Sequence, residues 1–513
     1  MEFIIHFLEG GAANYPVSID VFEHRDAFGR GIAWSGERTP VLANMRVETL
    51  GPDYPEYDLI QSLLKEIGHS EADAQYPTRT AVGAALKERW RRVATSLPGI
   101  WTFNHIVKEA VDIDWDGQKA TIVTLDTIRY AGYDLVLLSL GNLPSKAPPG
   151  LVSSDRFING WNVAKIEGIQ PNCDVLIQGA GLTAIDATMR LLESGHQTGN
   201  QSIVWQSISG TLPFIRPRQI ALNPKYLRLD TLEALAKRAK EEKAPLTLAS
   251  LWRLFELELK SQSRICKNQF ASGTDYGGFL AMYDEFRDPS KGRRLIDYGI
   301  KGAEGCCLWF SVAKLFDEYL IPVVWNALPD KEKLSFLRSW RRDFDRFWAP
   351  IPVANGKRIK QWLTDGTIQL VRTKIELKAD LTTGKIVFDP SLEDPLAEKS
   401  KAELQERYKG GFDCVIDATG IQSELEKLDS ALVSNLLRRG LLIPFNLEDD
   451  LKTLGAKIDW FSGAILNAEQ RPHGWLCTLT GSLTAGAHRF TNSYMAVSVS
   501  ARRVATGLIQ QLI

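Results

Sequence analysis

The stretch that most constrains the fold of this chain is residues 173–196, CDVLIQGAGLTAIDATMRLLESGH. The apolar run at 175–177 is typical of a strand buried on both faces, and the apolar pattern after the glycines predicts a helix. Between them, Gly179, Gly181 and Ala184 occupy the small-residue positions of G-x-G-x-x-G/A. The sequence therefore predicts a strand, a glycine turn and a helix in direct succession.

Each small residue has a mechanical role in a dinucleotide site. Gly179 permits the tight turn, Gly181 lets the backbone approach a pyrophosphate, and Ala184 lets the helix lie close to the strand. The helix start, with Leu182 and Thr183, directs unpaired N–H groups and the positive end of the helix dipole at phosphates. The alternative interpretation is a close-packed turn that binds no nucleotide.

Length and charge limit the class of protein. The 513 residues suffice for about two or three domains with substantial cores. The balance of 61 Lys+Arg against 62 Asp+Glu argues against nucleic acid or an anionic membrane as the main partner. The apolar run near Met1 follows no basic segment and is too short to cross a bilayer, so we expect a cytoplasmic protein. Composition leaves the oligomeric state open.

Cysteine and histidine spacing predicts no metal site. The six cysteines are scattered without a C-x-x-C pair, which favours reduced thiols in a reducing compartment, and the seven histidines lack H-E-x-x-H spacing. Cys306 and Cys307 are interpreted as small core residues, with a reactive thiol as the alternative.

The N-terminal residues resemble part of a second dinucleotide unit. Residues 1–11 predict a helix that Gly10 and Gly11 end, and the following strand closes at Glu23, where an acid is placed to bind a ribose. A strand and glycine loop before that helix are absent, so Met1 falls where the middle of such a helix is expected. Arg30, in FGRGIAWS, is expected against a phosphate or flavin edge, or in a plain turn.

Two strand-rich regions flank the glycine motif. Residues 115–125 and 133–142 predict strands of a meander that closes at Gly141, and the Pro-rich residues 144–150 predict a domain crossover. From 366 onward, a second meander is predicted, ending in GFDCVIDATG at Gly420. The endings YDLVLLSLGN and FDCVIDATGI are similar, which indicates one nucleotide domain interrupted by another.

The choice between NAD and NADP depends on the second strand of the glycine unit. That strand, 202–207, ends without the acid that suits the free 2′-OH of NAD. Arg216 and Arg218 follow shortly after, which favours NADP weakly. The alternative is that both arginines are solvated surface charges.

Residues 222–363 have a mostly helical pattern rich in aromatic side chains. They are interpreted as an inserted helical region in which most tryptophans anchor the core and some line a pocket. An apolar or aromatic small-molecule substrate would fit these residues, but any well-packed helical core contains the same types. The tryptophans are Trp252, Trp309, Trp325, Trp340, Trp348 and Trp362.

The C-terminal region predicts a glycine turn and a helix. The turn lies in GSLTAGAHRF around Gly481, and Thr491 or Asn492 is the expected N-cap of the helix. The start of such a helix, facing a flavin, could stabilise negative charge on the reduced ring.

These segments together resemble a known family. The chain resembles the FAD/NAD(P)-binding flavoproteins with two dinucleotide domains, in particular the oxidoreductases of bacterial secondary metabolism that are related to flavin monooxygenases. The motifs that carry the resemblance are IDVFEHRDAFGRGIAWS, YDLVLLSLGN, DVLIQGAGLTAIDAT, FLRSWRRDFDRFWAPIP, FDCVIDATG and GSLTAGAHRFTNS.

The resemblance implies an α/β fold with two nested Rossmann-like dinucleotide-binding domains and a helical insertion. A discontinuous FAD-binding domain would comprise residues 1–145 and 411–513, without its first strand and glycine loop. The NAD(P)-binding domain would comprise 151–220 and 366–410, and the insertion 221–365.

The resemblance also implies residue roles. Glu23 would hold the FAD ribose, and NAD(P)H would bind at Gly179, Gly181 and Ala184. His488 is the one candidate general acid or base, with a structural histidine as the alternative. Asp186 matches a position that the family keeps polar, which favours a structural role. The residues expected near the flavin are Arg30, Gly141, Gly420, Gly481 and Thr484.

The expected function is that of a flavin-dependent oxidoreductase, a monooxygenase, with FAD and NADP or NAD as cofactors. One alternative is a non-catalytic dinucleotide-binding partner or scaffold that has lost FAD, and another is a flavin-free NADP-dependent reductase. The absent loop has two explanations: the chain is a shortened version of a longer protein, or the lineage has lost the loop.

Overall fold

The structure is a computed structural model. It describes residues 1–23, 28–34, 41–52, 56, 58–151, 155–199, 202–241, 245–266, 276–287, 292–303, 305–315, 320–374, 376–380, 382–388, 398–447, 454–489, 491 and 493–512.

The first part of the chain combines three helices with six strands. The predicted N-terminal helix and the strand after it are both present, and Ile4 and Phe7 bury the apolar face of that helix. The elements are α1 Glu2–Glu9, β1 Val17–Phe22, α2 Leu59–Glu66, α3 Arg79–Thr95, β2 Trp101–Ile106, β3 Ala110–Trp115, β4 Ala120–Thr124, β5 Arg129–Tyr133 and β6 Val136–Leu138.

The glycine motif lies where the sequence predicts it, between a strand and a helix. The elements of this part are β7 Phe157–Asn159, α4 Val163–Glu167, β8 Val175–Gln178, α5 Leu182–Glu193 and β9 Ile203–Ser207.

The region predicted as a helical insertion is mostly helical in its described parts. It contains α6 Leu229–Glu241, α7 Leu248–Ile265, α8 Tyr276–Arg287, α9 Gly292–Gly302, α10 Leu308–Ala313, α11 Leu320–Ala327, α12 Asp330–Ser335, a π-helical turn Phe336–Trp340, α13 Arg341–Trp348 and α14 Val353–Asp365.

The last part returns to strands and ends in a long helix. It contains β10 Ile368–Arg372, β11 Leu377–Ala379, β12 Ile386–Phe388, α15 Glu398–Arg407, β13 Cys414–Asp417, α16 Ala431–Arg438, β14 Ala464–Leu466, β15 Pro472–Thr478 and α17 Tyr494–Leu512. Ser493 caps α17, because its Oγ accepts a 2.9 Å hydrogen bond from the Ala496 N–H group. The prediction of Thr491 as the cap is therefore wrong, and Asn492 lies outside the described residues.

A five-stranded parallel sheet carries the glycine motif. Its strand order is β10-β9-β8-β13-β7, and every pairing is parallel. The second meander predicted from residue 366 onward is wrong for β10 and β13, because both strands pair in parallel in this sheet. β11 and β12, from the same predicted meander, form an antiparallel pair. β13 lies within residues 411–513, which were predicted as part of the FAD-binding domain, and it pairs with β8 of the glycine unit.

The two faces of the five-stranded sheet are covered by different elements. Ile177 packs in a cluster with Ala184 of α5 and Trp362 of α14. Leu176 packs in a second cluster with Leu377 of β11 and Leu404 of α15. Because neighbouring residues of β8 face opposite covered sides, its continuous apolar run is explained.

The first segment, residues 1–143, contributes strands to three small sheets. β1 pairs in parallel with β2, and β3, β4 and β5 form an antiparallel meander, in which β4 lies within the predicted strand 115–125. β6 does not belong to that meander, since it pairs in parallel with β15 in the sheet β14-β15-β6. Helices α1 and α17 pack against each other. Phe3 of α1 contacts one apolar cluster that includes Trp101 of β2 and a second cluster that includes Cys477 of β15.

The aromatic residues of the helical region mostly contact one another. Phe214, Phe279, Trp309 and Phe347 pack with ring centroids 5.2–6.2 Å apart. Of the predicted anchors, Trp309, Trp325 and Trp362 are buried, whereas Trp252 and Trp340 are 37% and 42% exposed. The side chain of Trp348 lies outside the described residues.

The described part of the chain contains no membrane-spanning helix, and Cys307 lies in the core. None of its helices is both long and apolar enough to cross a bilayer. Burial raises the pKa of the Cys307 thiol to about 12, which supports its interpretation as a core residue.

Candidate dinucleotide-binding site

The turn after β8 requires glycine at its first position. Gly179 has a φ of 124°, and a Cβ placed there would overlap the carbonyl oxygen of Ala418 in the turn after β13. Its N–H group donates to the Gln206 carbonyl oxygen at 2.7 Å, which ties the turn to β9. The loop is thus held against both neighbouring strands.

Gly181 leaves an open space at the start of α5, called the cradle below. A Cβ at Gly181 would meet nothing within 4 Å, and no side chain caps the helix. The first intrahelical bond is from the Ile185 N–H group to the Gly181 carbonyl oxygen, at 3.2 Å. The N–H groups of Leu182, Thr183 and Ala184 therefore precede the helical ladder and have no partner within the helix. This cradle fits a pyrophosphate, because it offers N–H donors and the positive end of a helix dipole.

Arginine and serine side chains gather at the end of β9. Arg346 donates from Nη2 to Ser209 Oγ at 2.6 Å. Arg372 is exposed, pairs in register with Ser207, and its side chain lies over Gly210. Since the second strand of a dinucleotide unit ends at the adenosine ribose, these groups are placed for a 2′-phosphate.

The arginines singled out in the sequence lie elsewhere. Arg216 is buried, with its guanidinium 5.8 Å from the ring centroid of Phe310. The backbone of Arg218 pairs with that of Cys306 near the helical region. Sequence reasoning missed Arg372, because the strand that ends at Arg372 was assigned to a meander instead of the edge next to β9.

The first segment presents the residues that were predicted to contact FAD. Glu23 follows β1, and its N–H group donates to the Ile106 carbonyl oxygen at 3.1 Å. The turn at Arg30 packs on α3: a Cβ at Gly83 would lie 3.7 Å from Arg30 Cδ and would overlap the Trp34 carbonyl oxygen. The two predicted residues thus lie on the β1–β2 side of the segment.

Gly141 and Gly481 meet at the ends of β6 and β15. A Cβ on Gly481, whose φ is 148°, would overlap the Gly141 carbonyl oxygen. The Ser482 N–H group donates to that same oxygen at 2.9 Å, and Thr484 Oγ1 accepts from the Gly481 N–H group at 3.1 Å. This turn brings together three of the predicted residues, Gly141, Gly481 and Thr484. The two chain segments cross so closely that no side chain fits at Gly481.

Gly420 lies in the turn after β13, whose neighbouring Ala418 contacts the Gly179 loop. A Cβ at Gly420 would meet nothing within 4 Å, and its φ is 113°. Three residues later, the Ser423 carbonyl oxygen accepts a 2.8 Å hydrogen bond from the Gly455 N–H group, and Gly455 packs against Leu483 of the C-terminal turn. The place of Gly420 beside the flavin stays a prediction.

His488 is buried behind the C-terminal turn. Its N–H group donates to the Thr484 carbonyl oxygen at 2.7 Å, and burial, with a smaller contribution from Arg503, lowers the pKa of its imidazole to about 4. The ring is neutral at pH 7, which disfavours the role of a general acid. The helical region supports the same turn, because Trp325 Nε1 donates to the Gly486 carbonyl oxygen at 2.7 Å.

An ion pair joins the first segment to the glycine-motif helix. Arg79, at the start of α3, contacts Asp186 of α5 with an Nη2–Oδ2 distance of 2.6 Å. The Arg79 guanidinium also lies 5.9 Å from the Trp34 ring centroid. Burial raises the pKa of the Asp186 carboxyl, and the nearby arginines oppose that effect. Asp186 contacts a neighbouring segment through this pair, in keeping with a structural role.

The comparison with known protein families identifies the first segment. Residues 3–143 match the FAD-NAD(P)-binding family. The resemblance drawn from the sequence is thereby confirmed, and the family's description names the two kinds of cofactor. No curated protein matches the chain in sequence.

Solved structures confirm the fold over the whole length. Ornithine hydroxylase from Pseudomonas aeruginosa is 11% identical, with a TM-score of 0.51 over 100% of this chain and 96% of its own. L-lysine 6-monooxygenase from Pseudomonas syringae is 13% identical, with a TM-score of 0.52 over 100% and 97%. The chain therefore has the α/β fold of flavoproteins with two dinucleotide domains, as predicted.

Proposed function

We propose that this protein is an FAD- and NAD(P)H-dependent oxidoreductase of the monooxygenase type that acts on a small-molecule substrate. The observation that carries the proposal is the open cradle at Gly181, at the start of α5. The two solved structures of similar fold are, by name, a hydroxylase and a monooxygenase. The family match at residues 3–143 supports binding of the second cofactor, FAD.

The nicotinamide cofactor would be held by the glycine loop and the end of β9. Backbone N–H groups at the start of α5 would bind the pyrophosphate, and Gly181 would let it approach. Arg372 and Arg346, together with Ser207, would bind a 2′-phosphate, which favours NADPH over NADH.

FAD would lie on the first segment and the C-terminal turn. Glu23 would accept hydrogen bonds from the ribose, and the backbone crossing of Gly141 and Gly481 would form a flat surface for the flavin. The chemistry that the two cofactors supply when bound is hydride transfer from NAD(P)H to FAD, followed by electron transfer to O₂ or a small organic acceptor. The Arg79–Asp186 pair would hold the two binding segments in fixed orientation.

The sheet pairings suggest revised limits for the two domains. We place the FAD-binding domain at residues 1–143 and 421–512, and the NAD(P)-binding domain at about 155–220 and 366–420, because β13 pairs with β8. An apolar or aromatic substrate remains a prediction. The buried rings of the helical region support it weakly, since they are largely occupied by contacts with one another.

A flavin-loading experiment tests the proposal against the scaffold alternative. The purified protein is incubated with FAD, freed of unbound cofactor and examined for a flavin absorption band, and its NADPH consumption and O₂ uptake are then measured. The proposal expects bound flavin and coupled consumption of NADPH and O₂. Tight binding of NADPH by a protein that takes up no FAD would instead favour the two alternatives without flavin, the non-catalytic scaffold and the flavin-free reductase.

A further inference from the structure

We propose that a basic cleft, defined by Arg46, Gln75, Arg218, Ala303, Val353 and Lys357, binds the anionic oxygen group of a small-molecule ligand, a carboxylate or a phosphate. The cavity volume of this basic cleft is about 390 Å³. Its lining comes from five separate parts of the chain, so it exists only in the folded protein. Calling the ligand a substrate rests on the proposed function, whereas binding of the anion does not.

Three cations face the cleft with little compensating charge. Arg46 is paired with Glu48, at an Nε–Oε1 distance of 2.5 Å. Arg218 and Lys357 are exposed, and neither forms an ion pair with a carboxylate in the part of the chain that the structure describes. Three positive side chains and one carboxylate leave a formal charge of about +2, which suits a ligand group with one or two negative charges.

The backbone adds to the attraction. Val353 is the first residue of α14, a helix that no side chain caps and whose Gly356 N–H group makes the first intrahelical bond, to Pro352. The positive end of this helix dipole therefore borders the cleft. The opposing end of α9 lies nearby at Ala303, but its Gly302 carbonyl oxygen already accepts from the Gly305 N–H group at 3.1 Å.

Gln75 fixes the orientation of the Arg46 side chain. With its amide oriented to accept, Gln75 receives a 3.0 Å hydrogen bond from Arg46 Nη1. Gln75 also accepts from Arg46 Nη2 at 3.3 Å, so Gln75 and Glu48 together hold the guanidinium in place and leave one N–H on each of Nη1 and Nη2 for an oxygen of the ligand.

The cleft is distinct from the proposed 2′-phosphate position and borders the joint between the two segments. Arg372 and Ser207 lie at the end of β9, and neither lines the cleft. Gln75 lies shortly before Arg79, whose pair with Asp186 joins α3 to α5. A ligand anchored in the cleft would thus be held beside the place where the two cofactor segments meet.

Anion titrations of the purified protein test the inference. Succinate and inorganic phosphate are titrated separately at low ionic strength, with binding followed by calorimetry, for the wild type and for Arg218→Gln, Lys357→Gln and the double variant. Lys360→Gln is the control, because Lys360 lies on the same helix and pairs instead with Asp297 at 2.6 Å. All substituted side chains are exposed, and the Tm without ligand verifies that the fold is kept.

We expect saturable binding of at least one anion, with a dissociation constant that rises roughly tenfold in each single variant and remains unchanged in the control. Binding of succinate alone assigns the cleft to a carboxylate, and binding of phosphate alone to a phosphate. Absence of binding by both anions, or equal binding by the wild type and the double variant, overturns the inference. NADPH consumption is measured without added anion, so failure of the proposed function remains a separate result.

Discussion

Replacement of Gly181 by alanine separates nucleotide binding from folding. A Cβ at Gly181 meets no protein atom within 4 Å, and the residue has φ −98° and ψ −158°, which alanine adopts without strain. Alanine is a poorer N-cap than glycine by about 0.5 kcal/mol, and its smaller unfolded-state entropy offsets that by about 0.4–1 kcal/mol. The free energy of unfolding should therefore change little.

The same methyl group would enter the space proposed for the pyrophosphate. If it displaces the phosphates from one N–H donor of α5, the loss is that of a hydrogen bond to a charged group, about 1.5–3 kcal/mol. The dissociation constant for NADPH should rise on the order of tenfold to a hundredfold.

The assay is a fluorescence titration with NADPH, combined with thermal unfolding of the same samples. Gly99→Ala is the matched control, because Gly99 also has open space around its Cβ position and lies before β2, in the other segment. If Gly181→Ala binds NADPH as tightly as the wild type, the cradle is not the nucleotide site.

Four further predictions follow from the described contacts. Gly179→Ala should lower the free energy of unfolding by more than about 2 kcal/mol in a denaturant titration, because its φ is 124° and the Cβ would overlap Ala418; a stability equal to that of the wild type would contradict this. Arg372→Gln should lower the preference for NADPH over NADH roughly tenfold in steady-state kinetics, and an unchanged preference would exclude Arg372 from the 2′-phosphate site. Asp186→Asn should destabilise the protein by about 1–3 kcal/mol, because the Arg79 guanidinium loses a charged acceptor while the cost of burying the carboxylate is also removed; an unchanged stability would show that this pair does not hold the two segments together. Burial lowers the pKa of His488 from its ordinary value of 6.5 to about 4 in the folded protein. Its contribution to the free energy of unfolding is therefore complete above pH 6.5 and falls by on the order of 3 kcal/mol as the pH approaches 4. His488→Gln should lack this acid-dependent loss and keep NADPH-dependent flavin reduction, whereas a folded variant without flavin reduction would indicate a catalytic role.

The glycine motif could be located from sequence because its signal is local. A buried apolar run, two glycines and an alanine at fixed spacing specify β8, the turn and α5 without knowledge of any distant contact. The N-terminal helix and the helical region were predictable for the same reason, since their apolar spacing is read within a few turns.

Strand partners were not predictable in this way. β10 and β13 are short apolar runs, and such runs look alike in a meander and in a parallel sheet. Their pairing with β9 and β8 depends on residues more than a hundred positions away. The omission of Arg372 from the predicted site follows from this error.

Side-chain contacts between distant segments could not be predicted from the sequence either. Arg79 has no motif around it, and only the fold brings it within 2.6 Å of Asp186. The basic cleft likewise combines Arg46, Arg218 and Lys357, which share no spacing in the sequence. Residues of this kind become apparent only when the helices and sheets that carry them are packed.

The most direct test of the proposed function is an anaerobic mixing experiment. Protein loaded with FAD is mixed with NADPH in the absence of O₂, and the flavin absorption band is followed in time. The account predicts that the band bleaches in the wild type, bleaches more slowly at limiting NADPH in Gly181→Ala, and returns when O₂ is admitted. A flavin band that persists at saturating NADPH would contradict the claim that the Gly179–Gly181 loop binds the reductant of a flavin.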